Sequence, residues 1–193
     1  MQQQSASTDA AGEQGARRAD WCAWHLHLGT SARSAHDRVL SEVVGPAVDS
    51  VPGRPWFFIR YWQAGPHVRL RIGDLDAQER RDLGALLADR LAEAGRLAEG
   101  EEPLSPEGYA ADAQRMTVGE TGGNRYVEEM RAPGVHPADY EPEVDRYGGA
   151  GLMPRAERLF QLSSELVRGL LPQSHSPARR ALVALRATMA AAS

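Results

Sequence analysis

The sequence predicts an α+β domain, in which an antiparallel sheet is covered by helices and more helices follow towards the C-terminus. Three observations carry this prediction. Residues 56–62 (WFFIRYW) and 67–72 (HVRLRI) are two strongly strand-forming runs split by a short turn, the pattern of a hairpin. Residues 21–28 alternate and supply another strand. Helical periodicities lie after Ser34, after Asp76 and from Ala150 onward.

Taken in order, residues 1–20 have no hydrophobic periodicity and read as a disordered tail. The strand over 21–28 sets Trp21, Ala23, His25 and His27 against Cys22, Trp24, Leu26 and Leu28. Gly29, Thr30 and Ser31 make a turn. Ser34 is a plausible N-cap for a helix carrying Val39, Leu40, Val43 and Val44, with Pro46 late in it or at its end. Residues 51–55 (VPGRP) break structure before the hairpin. Asp76 opens a long helix with Leu83, Leu86, Leu87, Leu91, Ala94 and Leu97 on one side. Residues 95–106 read as loop. A weaker fourth strand falls at 114–118, and 119–142 carries too much Gly, Pro and charge to assign. Helices follow over 150–171 and 179–192. The order β-α-β-β-α-β plus two helices fits a ferredoxin-like split βαβ core inside one domain, residues 21–193.

Composition narrows the function. The 193 residues are 42% hydrophobic and 25% charged, with mean hydropathy −0.46, which suits one folded domain with a sizeable core. No run approaches the length of a membrane span, and the N-terminus has no secretory pattern, so a cytoplasmic location without membrane contact is expected. A single cysteine, Cys22, excludes an internal disulfide framework and a Cys-rich zinc site, and it reads as a packed thiol. The net charge of −4 argues against direct nucleic-acid binding. All 22 basic residues are arginine, which rules out Schiff-base and Walker lysines.

The hairpin concentrates charge. With a four-residue turn over 63–66, Trp62 faces His67, and the apolar pairs Tyr61/Val68, Ile59/Leu70 and Phe57/Ile72 fill one face. The other face then gathers Arg60, Arg69, Arg71 and His67. Such a cluster is either a solvated face with arginine stems lying over aromatic rings or a pocket for a carboxylate or phosphate. Residues 140–149 (YEPEVDRYGG) are the second distinctive stretch. Glu143 and Arg146, three apart, share a face in a helical turn, either as a local ion pair or as part of an anion site. His25, His27 and His67 are in principle metal ligands, but no carboxylate or further histidine stands at a recognisable spacing, so no metal site is expected. Gly119, Gly122 and Gly123 match no phosphate-binding pattern.

In series, WFFIRY, His67-Val68-Arg69-Leu70-Arg71, Glu143-Val144-Asp145-Arg146-Tyr147-Gly148-Gly149 and Ala156-Glu157-Arg158-Leu159-Phe160 resemble the C-terminal domain of lantibiotic dehydratases and the related stand-alone thiopeptide-type bacteriocin biosynthesis proteins. The resemblance runs from about Trp21 to about Leu171. It implies maturation of a ribosomally made peptide: elimination of glutamate from glutamylated Ser/Thr to leave dehydroamino acids. A divergent branch of the family performs the formal [4+2] cyclisation that makes the pyridine of thiopeptides. By resemblance, Arg69, Arg71, Glu143 and Arg146 are the candidate catalytic residues; Arg60, His67 and Trp62 from the hairpin and Tyr147 from the acidic-aromatic stretch are candidate substrate-binding residues around them. The reaction requires no cofactor. The implied partners are a precursor peptide and a glutamylating dehydratase subunit or other biosynthetic protein. The resembled domain continues further and contributes another histidine, whereas this sequence runs from Gly149 only to Ser193. The expectation is a shortened form, completed by another subunit or by self-association through the sheet, and a precursor-binding subunit without catalysis is the remaining reading.

Overall fold

The computed structural model describes residues 19–121 and 126–173, with 176, 178, 179 and 181–183 beyond them. The expected tail, all but its last two residues, and most of the expected helix over 179–192 lie outside the described residues. Strand β1 (Trp21–His27) leads into α1 (Arg33–Val39), a π-helical segment (Leu40–Val44) and α2 (Gly45–Asp49). The hairpin β2 (Trp56–Tyr61) and β3 (His67–Gly73) follows, then α3 (Ala77–Ala94), α4 (Pro106–Thr121), β4 (Gly134–Ala138) and α5 (Met153–Leu170). The strands form one antiparallel sheet in the order β2-β3-β1-β4, the order of a split βαβ unit. The α+β expectation with additional helices therefore describes the molecule.

One face of the sheet makes the core. Trp24, Leu26 and Leu28 from β1, Val68, Leu70 and Ile72 from β3 and Trp56 from β2 pack against Val39, Val43, Val44 and Ala47 and against Leu83, Leu87 and Leu91. Each such buried side chain stabilises the fold by roughly 1.5–3 kcal/mol. Asp76 caps α3 as the sequence suggests: its Oδ1 accepts from the Gln78 and Glu79 N–H groups, and the Glu79 carboxylate accepts the Asp76 N–H. The π-helical segment sits beside Pro46, which lacks the N–H that the Glu42 carbonyl would otherwise receive; Arg90 Nη1 donates there instead, at 3.2 Å.

Four expectations are corrected. The hairpin register is Tyr61↔His67, Ile59↔Arg69 and Phe57↔Arg71, one residue away from that expected. The connection takes five residues, because Ala64 and Gly65 both adopt positive φ (62° and 100°) and the Gly65 N–H closes onto the Trp62 carbonyl at 3.0 Å. Trp62 thus leaves the ladder. Arg60 turns to the helical side, where its Nη2 bonds Asp37 Oδ1 at 2.6 Å. Residues 114–118 belong to α4 rather than a strand: Tyr109, Ala113 and Thr117 are buried at a spacing of four. The fourth strand is Gly134–Ala138, in the unassigned stretch, where Pro137 is tolerated on a sheet edge. Finally, α1 is capped at Ala32, and Ser34 Oγ instead donates to Glu101 Oε1 at 2.5 Å.

Candidate functional site

The sheet face away from the core carries chemistry. Side chains alternate, so Ala23, His25 and His27 from β1 share that face with His67, Arg69 and Arg71 from β3 and with Phe57, Ile59 and Tyr61 from β2. The segment after β4 folds over it and closes a cavity of about 470 Å³. Its lining is His25, Tyr61, Gln63, Arg69, Arg71, Glu128, Asp139, Glu141, Pro142, Glu143 and Arg146.

Arg71 dominates the electrostatics. It is 5% exposed, and among the described residues its Nε and Nη1 have no hydrogen-bond partner. Its guanidinium lies 5.9 Å from the Phe57 ring centre and 5.7 Å from that of Tyr140. Burial, then the neighbouring Arg69, bring its pKa down to about 10, so it still carries its charge at neutral pH. Tyr140 is fixed from behind, its hydroxyl donating to the buried Glu157 at 2.9 Å. Arg69 lies 3.6 Å over the Tyr61 ring, and its Nε donates to His67 Nε2 at 3.1 Å. Arg146 reaches the cavity from a tight turn, its Nη1 bonding Glu143 Oε2 at 3.0 Å. That turn ends at Gly148, φ 82°, where an added Cβ would lie 2.8 Å from Leu152 Cδ1.

Three histidines stack beside the arginines. Ring centres are 4.2 Å apart for His27 and His67 and 5.0 Å for His25 and His67. Burial above all holds them neutral, pushing His25 to about 3, His27 to about 4 and His67 to about 2. One ligand atom from each lies within 4.8 Å of the others. The pairing of β1 with β3 brings together the three histidines that the sequence could name but not place.

Of the eight candidate residues, the four singled out by resemblance, Arg69, Arg71, Glu143 and Arg146, line one cavity. Arg60 lies on the opposite face of the sheet. His67 is buried behind Arg69, Trp62 stacks on Tyr61 at 6.1 Å, and Tyr147 packs edge-on to Phe160 at 5.1 Å. Sequence reading missed His25 as a lining residue, although pairing β1 with β3 puts it directly opposite Arg69. Cys22 is a half-buried thiol whose pKa burial raises, which keeps it protonated. Among the described residues no helix is long and apolar enough to cross a membrane.

Comparison with known proteins gives a family match and several structural likenesses. The family model described as lantibiotic biosynthesis dehydratase C-term matches residues 21–193. No curated protein matches. Among solved structures, the pyridine synthase TbtD from thiomuracin biosynthesis superposes with a TM-score of 0.60 at 17% identity, over 82% of this chain and 50% of that one. TsrL gives 0.52 at 18% identity, over 86% and 39%. The tRNA-dependent lantibiotic dehydratase MibB from Microbispora sp. 107891 gives 0.46 at 24%, over 90% and 13%. The chain thus spans half of the first of these and smaller parts of the others.

Proposed function

The chain belongs to the lantibiotic biosynthesis dehydratase C-terminal family, and from that premise we propose that it is a peptide-maturation lyase that removes glutamate from glutamylated serine or threonine. The observation that carries this reading is Arg71: a buried guanidinium with two unpartnered nitrogens on a cavity also lined by Arg69 and Arg146. Such a group calls for an anion, and bidentate recognition of carboxylate is what arginine does best.

The chemistry follows from the groups present. A base takes the Cα proton of the esterified residue, the electron pair forms the Cα–Cβ double bond, and the Cβ–O bond breaks to release glutamate as a carboxylate. Arg71 and Arg69 receive the negative charge that grows on the departing group, in a partly dry cavity where each contact is strengthened. Arg146 holds the second carboxylate of the glutamyl group. Glu143 is assigned the proton: its Oε2 is engaged with Arg146, and its Oε1 is the oxygen that accepts. The precursor peptide and a glutamylating partner are part of this proposal, since the reaction needs an ester formed beforehand.

Intact-mass spectrometry of a glutamylated serine peptide incubated with this chain alone tests the reading. Loss of glutamate is the expected result. An unchanged mass overturns it as a self-sufficient lyase; incubating a peptide with two dehydroalanines then asks whether the chain is a pyridine-forming cyclase, which would release the leader segment.

A further inference from the structure

We propose that His25, His27 and His67 form a binding site for a divalent transition-metal ion, with Zn²⁺ the best match to an all-imidazole set. The topology makes the site. β1 presents His25 and His27 on the face away from the core, and β3 places His67 directly across from His27. Their ligand atoms already lie within 4.8 Å of one another. A tetrahedral ion with Zn–N bonds of about 2.0–2.1 Å wants nitrogens roughly 3.4 Å apart, so the rings must close by up to about 1.5 Å and tilt out of their stack.

His27 carries the argument furthest. It is 1% exposed, and among the described residues neither Nδ1 nor Nε2 makes a well-formed hydrogen bond, the Ala64 carbonyl being the nearest to one. Buried polar atoms in folded proteins nearly always have one, and a metal ion is a standard explanation when they do not. His67 is oriented as a ligand commonly is. Its Nδ1 lies 2.8 Å from the Gly65 carbonyl, so that nitrogen carries the proton and Nε2 presents the lone pair. In the present structure Arg69 Nε donates to that lone pair. An ion would take its place, and the guanidinium already has a seat over Tyr61 at 3.6 Å. The charges of Arg69, Arg71 and Arg131 oppose a cation, and Glu128, Asp139 and Glu141, which line the cavity that His25 opens onto, are the countering carboxylates. His25 also lines the cavity and gives the ion its route from solvent. The inference does not rest on glutamate elimination and survives if that reading fails.

The test is calorimetric titration of the metal-free full chain with Zn²⁺, repeated with Co²⁺ and read by visible absorption. One equivalent of bound Zn²⁺ and the strong visible bands of four-coordinate cobalt are expected. His25→Ala and His27→Gln should each weaken binding at least about tenfold, while Cys22→Ser leaves it unchanged. If His27→Gln does not fold by circular dichroism, the half-buried His25 decides alone. No stoichiometric binding by the wild type, or binding that persists in the folded histidine variants, overturns the proposal.

Discussion

Arg71 brings a guanidinium with five donors into a pocket where its Nε and Nη1 find no acceptor. A fold selected only for stability would place methionine or leucine there, because a buried charge without a partner is a net cost. The Arg71→Met variant should therefore be the more stable protein, by about 1 kcal/mol in urea unfolding, while glutamate release falls at least about a hundredfold. A variant that is both active and less stable than wild type would contradict this assignment. Glu101 shows the opposite arrangement. Arg38 binds it twice, Nη1 to Oε1 at 3.0 Å and Nη2 to Oε2 at 2.8 Å, and its side chain is 4% exposed. The hydrogen bond from Arg38, more than any other contact, holds its carboxyl down to about 2. The folded value lies below the unfolded value of about 4.3, so the pair contributes stability above that pH and loses it as pH falls towards 2. Melting temperatures should show wild type above Glu101→Gln at pH 6 and the two converging near pH 2; a constant gap would refute the linkage.

Helix α5 docks along the edge strand β2 and covers the sheet there. Ser164 Oγ accepts the outward Phe58 N–H at 3.0 Å and donates to the Phe160 carbonyl at 2.8 Å. Ser164→Ala leaves that strand N–H unsatisfied and should cost about 1–3 kcal/mol in chemical denaturation; an unchanged midpoint would mean the contact is not made. The strong elements, β1, the hairpin, α3 and α5, were legible because their apolar periods are long and unbroken. β4 was not, since Gly134, His136 and Pro137 have no strand preference of their own and are recruited by β1. The hairpin register was misread because all-apolar pairing was assumed to decide it. Arg69 lies over Tyr61 and Arg71 beside Phe57 instead, and a turn with two left-handed residues consumes Trp62.

The whole molecule uses its sheet as a partition, with a hydrocarbon core on one side and a charged cavity on the other. Neighbouring residues of β3 report on different sides. Leu70, fully buried, should cost about 2–5 kcal/mol as Leu70→Ala, whereas changes at Arg71 should be read out in glutamate release. The arginine strand and the Glu143–Arg146 turn could be found in the sequence because their residues lie close together along it. The three histidines could be named in the sequence but not brought together, and Glu128 and Asp139 could not be connected with the arginines, because only the pairing of β1 with β3 and the packing of the segments flanking β4 do so. The central claim is that the Arg71 guanidinium receives the departing carboxylate. Chemical rescue addresses it most directly: glutamate release from a glutamylated serine peptide by folded Arg71→Ala, measured with and without added guanidinium ion. The account predicts a nearly inactive variant whose rate rises with guanidinium concentration; wild-type release by Arg71→Ala with no guanidinium present would contradict it.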